Sequence, residues 1–340
     1  MQVSDFNYQL PEILIAQEPL PERTGSRMLV VSREDRSFKD DIFGNFSQYI
    51  RPGDCLVLNN TRVFPARLHG KRNSLSGAEI EILLVCATDE QETIWTALVR
   101  PAKRVRKGDR ILFTEEFYAE VLSEQDFGER TLRFIAPHPI PELFERVGET
   151  PLPPYIHHIP TAKDRERYQT VFAEKRGSVA APTAGLHFTP EMLEQCRAAG
   201  ADLAYLTLHV GLGTFAPLRA NQVKDIHLHE EYFEVSESEA QKMRSATRLF
   251  CVGTTSVRAL ETALLRKGLE ATRGETNLFI YPGFHFRGTG ALLTNFHLPQ
   301  SSLLMLVCAF GGRDLVLAAY RHAVREKYRF FSYGDCMLIE

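Results

Sequence analysis

Two hydrophobic textures divide the chain. From about 1 to 62, and again from about 151 to 340, short apolar runs alternate with longer segments of helical spacing. The runs are LVVS (29–32), CLVLNN (55–60), LAYLTLHV (203–210), LFCVG (249–253), LFIYP (278–282) and ALLTNFH (291–297), and they are expected to be strands. The helical segments carry end signals. Thr189-Pro190 supplies an N-cap and a first-turn proline, with Gly200 past the last turn. Ser236 and Glu239 have the spacing of a capping box. A third helix is predicted from about Ser256 to Lys267, stopping at Gly268. Such strand–helix alternation predicts an α/β domain with a mainly parallel sheet buried on both faces.

Residues 63–150 follow a different pattern. PARLHGKR, AEIEILLVCA, TIWTALVRP, RILFTEEFYAEVL and RTLRFIAP read as short strands, and no helical pattern intervenes before PELFERVG (141–148). Glu79-Ile80-Glu81-Ile82 alternates polar and apolar, as a half-solvated strand does, and Lys107-Gly108-Asp109 supplies a turn. The expectation is a small antiparallel β-barrel of roughly five strands, inserted at 63–150 into an α/β domain made of 1–62 and 151–340.

Composition narrows the class. With 340 residues, 44% hydrophobic and 24% charged, the chain has globular averages and room for two domains. The longest apolar runs fall short of the ~18 residues of a membrane span, and the N-terminus lacks a basic segment followed by an apolar one. The six cysteines lie far apart without a CxxC pair, as reduced cytosolic thiols do, so a cytoplasmic location is expected. Net charge is -3, yet Arg100, Lys103, Arg104, Arg106, Lys107 and Arg110 stand within eleven residues against one acid, Asp109. A cluster of this kind attracts phosphates at close range.

Several stretches suggest chemistry. Gly211-Leu212-Gly213-Thr214-Phe215-Ala216 formally matches a dinucleotide fingerprint, but Pro217 follows and no helix opens, leaving a glycine-rich loop at a strand end. In VGTTSVRALE (252–261) a strand passes through Gly253 into a helix without the Gly-Lys of a P-loop. Its hydroxyls and N–H groups suit a carboxylate, a ribose or a phosphate. His187, His209 and His297 each stand where a predicted strand or small-residue segment ends, where α/β sheets place ligands. His227 and His229 form an H-x-H pair before Glu230 and Glu231, without the third spaced ligand of a metal site. A G-x-S-x-G elbow is missing. These features describe an α/β enzyme with a strand-end site, without fixing its reaction.

Nine collinear stretches then resemble one family along almost the whole chain: NNTRVFPARL (59–68), PLPPYI (151–156), YQTVFAEKRGSVAAPTAGLHF (168–188), LTLHVGLGTFAPLR (206–219), HEEYFEV (229–235), VGTTSVRALE (252–261), FIYPGF (279–284), LLTNFHLPQSSLLMLV (292–307) and EKYRFFSYGD (326–335). The sequence resembles the S-adenosylmethionine:tRNA ribosyltransferase-isomerases of queuosine biosynthesis. The resemblance implies an α/β domain with an inserted barrel. It implies transfer and isomerisation of the ribosyl group of S-adenosylmethionine onto 7-aminomethyl-7-deazaguanine at the tRNA wobble position, giving epoxyqueuosine and releasing adenine and methionine. No metal or other cofactor is implied, and a monomer would suffice.

The chemistry of that reaction, laid over the motifs, suggests roles. His187 and His209, with His297 third, are expected to move protons. Glu231 and Asp335 would orient a histidine, hold ribose hydroxyls or partner the substrate amine. Thr254, Thr255 and Arg258 would take the methionine carboxylate. Asn59, Asn60 and Asn295 offer amides to base edges, with Arg62 and Thr214 also assigned to substrate binding. Arg100, Lys103, Arg104, Arg106 and Lys107 would hold tRNA phosphates, and Tyr155 or Phe215 would stack on a splayed nucleotide. Two rivals are a metal-dependent hydrolase built on His227 and His229, and a non-catalytic tRNA-binding protein.

Overall fold

The computed structural model describes residues 1–73, 77–211 and 220–340. In chain order its strands begin with β1 (Arg27–Ser32), β2 (Ser37–Ile42), β3 (Asp54–Asn59) and β4 (Thr61–Val63). Next come β5 (Arg67–Arg72), β6 (Glu79–Ala87), β7 (Ile94–Arg100), β8 (Arg110–Leu112), β9 (Tyr118–Glu124) and β10 (Glu129–Ile135). The later ones are β11 (Lys175–Ser178), β12 (Asp202–Leu208), β13 (Glu231–Val235), β14 (Arg248–Val252), β15 (Thr272–Thr276), β16 (Thr289–Asn295) and β17 (Cys336–Ile339). Helices are α1 (Ile140–Val147), α2 (Ala162–Arg167), α3 (Pro190–Ala198), α4 (Glu237–Ser245), α5 (Thr254–Arg266), α6 (Ser302–Gly311) and α7 (Arg313–Arg325).

Nine strands form one sheet in the order β15-β13-β12-β3-β14-β16-β17-β1-β2. Its centre, β12-β3-β14-β16, is parallel, as is the β17–β1 pair, but β16–β17 inside the sheet and the pairings at both margins are antiparallel, so the sheet is mixed where a mainly parallel one was expected. The apolar runs are buried on both faces, as expected. Leu29, Val31, Cys55 and Val57 point into a core shared with α4 to α7. Met28, Val30, Leu56 and Leu58 point into a second core containing Phe43, Phe46, Phe188 and α3.

The helix ends follow the sequence in most details. Thr189 Oγ1 accepts from Met192 N, Pro190 opens α3, and Gly200 takes φ +98°. Ser236 Oγ likewise caps α4, but the reciprocal half of the expected capping box is not used. Glu239 instead accepts from Tyr205 N and Lys242 Nζ, tying α4 to β12.

Two strand expectations are corrected. LFIYP (278–282) is not in the sheet, because the edge beyond β13 is taken by the polar segment TRGET of β15. RILFTEEFYAEVL is two strands, with Phe113 N bonded to Phe117 O across the intervening turn. The barrel therefore closes with six strands, β10-β7-β6-β5-β8-β9. Ile80 and Ile82 point inward as their alternation predicts, beside Trp95, Leu132 and Phe134, and Phe144 of α1 packs beneath. A short parallel ribbon of β4 and β11 joins barrel and sheet. There Arg176 lies over the Phe64 ring and pairs with Glu92 in the β6–β7 turn. The six cysteines are unbridged, five of them buried and Cys86 exposed.

Candidate active site

The C-terminal ends of β12, β3, β14 and β16 share one edge of the sheet with the N-terminal ends of β17 and β1. Above the middle of that edge opens a cavity of about 500 Å3. This is the size range of small-molecule sites, and strand carboxyl ends are where α/β sheets bind ligands. Thr254 and Thr255 reach it from the first turn of α5, and Asn295 and His297 from the end of β16. Among the described residues its lining carries hydroxyls, amides, aromatic rings and one imidazole, but no Asp, Glu, Lys or Arg.

α5 is aimed at this space by its entry. Gly253 adopts φ +89°, a left-handed backbone open to glycine at little cost, and its N–H bonds Leu293 O of β16. The thirteen-residue helix thus starts at the cavity, presenting first-turn N–H groups and the positive end of its dipole.

Asn59, Asn60, Thr255 and Asn295 are bound into a framework. Asn59 Nδ2 donates to Leu208 O (3.0 Å) and Thr255 Oγ1 (3.2 Å), and its Oδ1 accepts from Thr61 N and Leu208 N. Asn60 donates to Glu174 and accepts from Thr207 Oγ1. Both amides stitch β3 to β12 instead of facing the cavity. Asn295 does line it, with Nδ2 donating to Phe331 O (2.8 Å) and Oδ1 against His187 Nε2 (3.3 Å).

The three histidines separate. His187 lies behind the cavity wall, between Ser26 Oγ (3.0 Å from Nδ1) and Asn295, and burial pushes its pKa down to about 4. His209 lies outside the lining, its Nδ1 2.7 Å from Thr61 Oγ1 and its ring stacked on Tyr232. Gly177 packs so closely beneath it that a Cβ would come within 2.8 Å of the ring. Burial and the Lys175 charge lower His209 to about 4. His297 does line the cavity, with Nε2 2.8 Å from Thr294 Oγ1, and burial lowers it to about 3. All three imidazoles are neutral at pH 7.

The remaining assignments fall elsewhere. Arg258 and Glu231 form a buried ion pair, with Arg258 Nε also donating to Leu278 O and Glu231 Oε1 accepting from Gly211 N. This guanidinium faces a carboxylate of the chain itself. Asp335 accepts from Arg27 N and Arg329 N at the foot of β17, and burial raises its pKa. Arg62 is exposed on β4. Thr214 and Phe215 lie outside the described residues. His227 and His229 are exposed, and among the described residues no three His, Cys, Asp or Glu are grouped to hold a metal ion.

Two lining residues had weak signals. Tyr155, expected from the sequence only to stack on a nucleotide, has its hydroxyl 2.6 Å from Ser332 Oγ in the cavity wall. Ser332 itself was missed; its motif SYGD was visible, its placement beside Tyr155 was not. On the barrel, Arg100, Lys103, Arg104, Arg106 and Lys107 are all exposed. They stand at the end of β7 opposite the Glu92–Arg176 contact.

An α/β sheet with a ligand-sized cavity at its strand ends, carrying an inserted barrel with an exposed basic cluster, defines a two-part enzyme of small-molecule and polyanion type. The family model described as "Queuosine biosynthesis protein" matches residues 3–339, and the chain belongs to that family. It is 54% identical over 355 residues to the S-adenosylmethionine:tRNA ribosyltransferase-isomerase of Solibacter usitatus, with all of both chains covered. The enzyme of the same name from Halothermothrix orenii is 48% identical over 345 residues, again with full coverage. The crystal structure of S-adenosylmethionine tRNA ribosyltransferase from Thermotoga maritima matches with a TM-score of 0.58 and 39% identity, covering 99% of this chain and 100% of that one. That enzyme shares the large sheet with an added barrel.

Proposed function

We propose that this chain is an S-adenosylmethionine:tRNA ribosyltransferase-isomerase acting in queuosine biosynthesis. It transfers and isomerises the ribosyl group of S-adenosylmethionine onto 7-aminomethyl-7-deazaguanine at the tRNA wobble position. Epoxyqueuosine-tRNA, adenine and methionine are the products. The carrying observation is full-length identity of 54% to a relative of that name, with neither chain left uncovered. The two rival readings have no comparable support.

The cavity suits S-adenosylmethionine. The first turn of α5, with Thr254 and Thr255, receives the methionine carboxylate, for which a helix N-terminus supplies N–H donors and positive potential. The lack of charged side chains among the described lining residues matters for the sulfonium. A carboxylate beside it would neutralise the positive sulfur and weaken the acidity of its neighbouring C–H bonds. Hydroxyls and amides leave that acidity intact, so a neutral base can remove a proton from the 5′ carbon. His297, the imidazole among the described lining residues, takes that role: burial keeps it neutral at pH 7 with a lone pair to accept the proton, while also making it a weaker base than a solvated histidine. Asn295, held from behind by His187, contacts a base edge or the ribose. His187 is a positioning residue. The overall transformation is redox-neutral, so it needs no oxidant, and the protein works in the cytoplasm without a further cofactor. The basic cluster of the barrel holds tRNA phosphates.

Incubation with S-adenosylmethionine and tRNA bearing the aminomethyl-deazaguanine tests the reading. Adenine and methionine are expected in equal amounts; S-adenosylhomocysteine would mean methyl transfer and refute it. His297→Asn should lower kcat by about 100-fold or more, the scale of a lost proton-transfer group, with tRNA binding unchanged.

A further inference from the structure

β16 is apolar through Ala291, Leu292 and Leu293, all fully buried, and then places a hydroxyl in the cavity wall. Thr294 is 1% exposed, and a hydroxyl buried so deeply is costly unless it is hydrogen-bonded. Its partners are local. Oγ1 lies 2.8 Å from His297 Nε2 and 3.3 Å from Asn295 O.

The backbone of His297 is held by other groups. Tyr8 Oη donates to its carbonyl (2.5 Å), and its own N–H donates to Tyr320 Oη (3.1 Å). Both tyrosines are buried. The ring itself is left with Thr294. Nδ1 has no hydrogen bond among the described residues. It is not one of their sealed, partnerless polar atoms either, so a ligand in the cavity can reach it.

A neutral imidazole carries one N–H and one lone pair, and its surroundings decide which nitrogen has which. A threonine hydroxyl has a single proton. If the ring proton sits on Nδ1, that hydroxyl must donate to Nε2, and the contact with Asn295 O carries no proton. The ring then shows the cavity a donor and no lone pair. If the ring proton sits on Nε2, Nε2 donates to Oγ1 and Oγ1 donates onward to Asn295 O. Both contacts are then hydrogen bonds, and the Nδ1 lone pair is free.

We propose that Thr294 is a positioning residue that holds His297 in the Nε2–H form, so that Nδ1 accepts the 5′ proton of S-adenosylmethionine. The inference rests on the reading of His297 as the base of the proposed reaction. In that step the C–H bond breaks, an Nδ1–H bond forms, and the electron pair stays on the carbon beside sulfur. Nε2 keeps its proton on Thr294, whose oxygen faces the imidazolium as it forms.

The test uses full-length wild type, Thr294→Val, which keeps the side-chain shape without the hydroxyl, and Thr294→Ser, which keeps the hydroxyl. NMR of protein labelled with heavy-nitrogen histidine reports which ring nitrogen bears the proton, the His297 signals being those lost in His297→Asn. Wild type and Thr294→Ser should carry it on Nε2 and release adenine at similar rates. Thr294→Val should move it toward Nδ1 and lower kcat by about 5- to 150-fold, the range for one unpaired buried donor, with the KM for S-adenosylmethionine and tRNA binding within about twofold of wild type. A wild type protonated on Nδ1 would overturn the proposal. So would wild-type kcat in the valine variant, or a serine variant as slow as the valine one. If wild type releases adenine on tRNA and His297→Asn is slow, such results bring down this inference alone. A wild type inert toward S-adenosylmethionine and tRNA would remove the functional reading as well, and a fully active His297→Asn would remove the base. The wild-type spectrum needs no turnover, so it decides the tautomer even where a variant fails to fold.

Discussion

Arg258 separates two accounts of the site. In one, its guanidinium clamps the methionine carboxylate; in the other, it is the structural counter-charge of Glu231. The structure places both side chains below a tenth exposure, ion-paired, with Arg258 also on Leu278 O and Glu231 also on Gly211 N. Arg258→Met keeps an apolar stem but deletes the positive charge that stabilises a buried carboxylate. Removing one partner of a buried pair costs about 3–5 kcal/mol. At about 2–4 °C per kcal/mol for a domain of this size, Tm should fall by about 6–20 °C. Adding Glu231→Gln removes the stranded charge while its carbonyl can still accept from Gly211 N, so the double variant should regain more than half of the loss. Thermal unfolding followed by circular dichroism measures both, and adenine release gives the KM for S-adenosylmethionine. A Tm within about 2 °C of wild type, with that KM raised tenfold or more, would refute the structural account and return Arg258 to the substrate.

Two further outcomes follow from charge. His187, His209 and His297 bind protons in the unfolded chain near pH 6.5 but in the fold only near 4, 4 and 3. Between those values the unfolded chain holds more protons, so their stabilisation is complete above about pH 6.5 and is lost as pH falls toward 4. Each ring contributes a slope approaching 1.4 kcal/mol per pH unit. Urea midpoints across this window should fall with pH, and His187→Asn should reduce the slope by about one ring; an unchanged slope would contradict the neutral burial of His187. Separately, replacing Lys103, Arg104 and Arg106 with Ala should raise the KM for tRNA and flatten its log–log salt dependence by about 2, leaving saturated turnover intact. An unaltered slope would remove the cluster from the interface.

The fold was legible where burial writes a pattern. The central strands β3, β12, β14 and β16 are apolar on both faces and stood out, as did the in–out alternation of β6. Margin strands were opaque. β15 is TRGET and β2 is SFKDDI, held by backbone pairing that places little demand on side chains. LFIYP misled for the opposite reason: Ile280 is buried by packing against the helical core, outside any ladder. The split of RILFTEEFYAEVL was hidden because its polar centre, TEEF, is short enough to pass for an interruption within one strand.

The site was legible to the level of which residues reach the rim, and no further. Strand ends in Asn and His placed Asn59, Asn60, Asn295, His187, His209 and His297 near one edge, but only Asn295 and His297 of these face the cavity. The difference lies in partners remote in sequence. His187 is drawn to Ser26, 161 residues away, and Tyr155 meets Ser332, 177 residues on. Spacing along a chain carries no record of such pairs. The inward amides nevertheless explain the outward surface. An asparagine ending β3, whose amide satisfies Leu208 N and O at the end of β12 and Thr61 N just beyond β3, lets two parallel strands stop side by side without charged caps. Likewise the Arg258–Glu231 pair neutralises itself inside the wall. Charge is thus kept out of the described lining, which is what the proposed S-adenosylmethionine site needs if the acidity beside the sulfonium is not to be quenched.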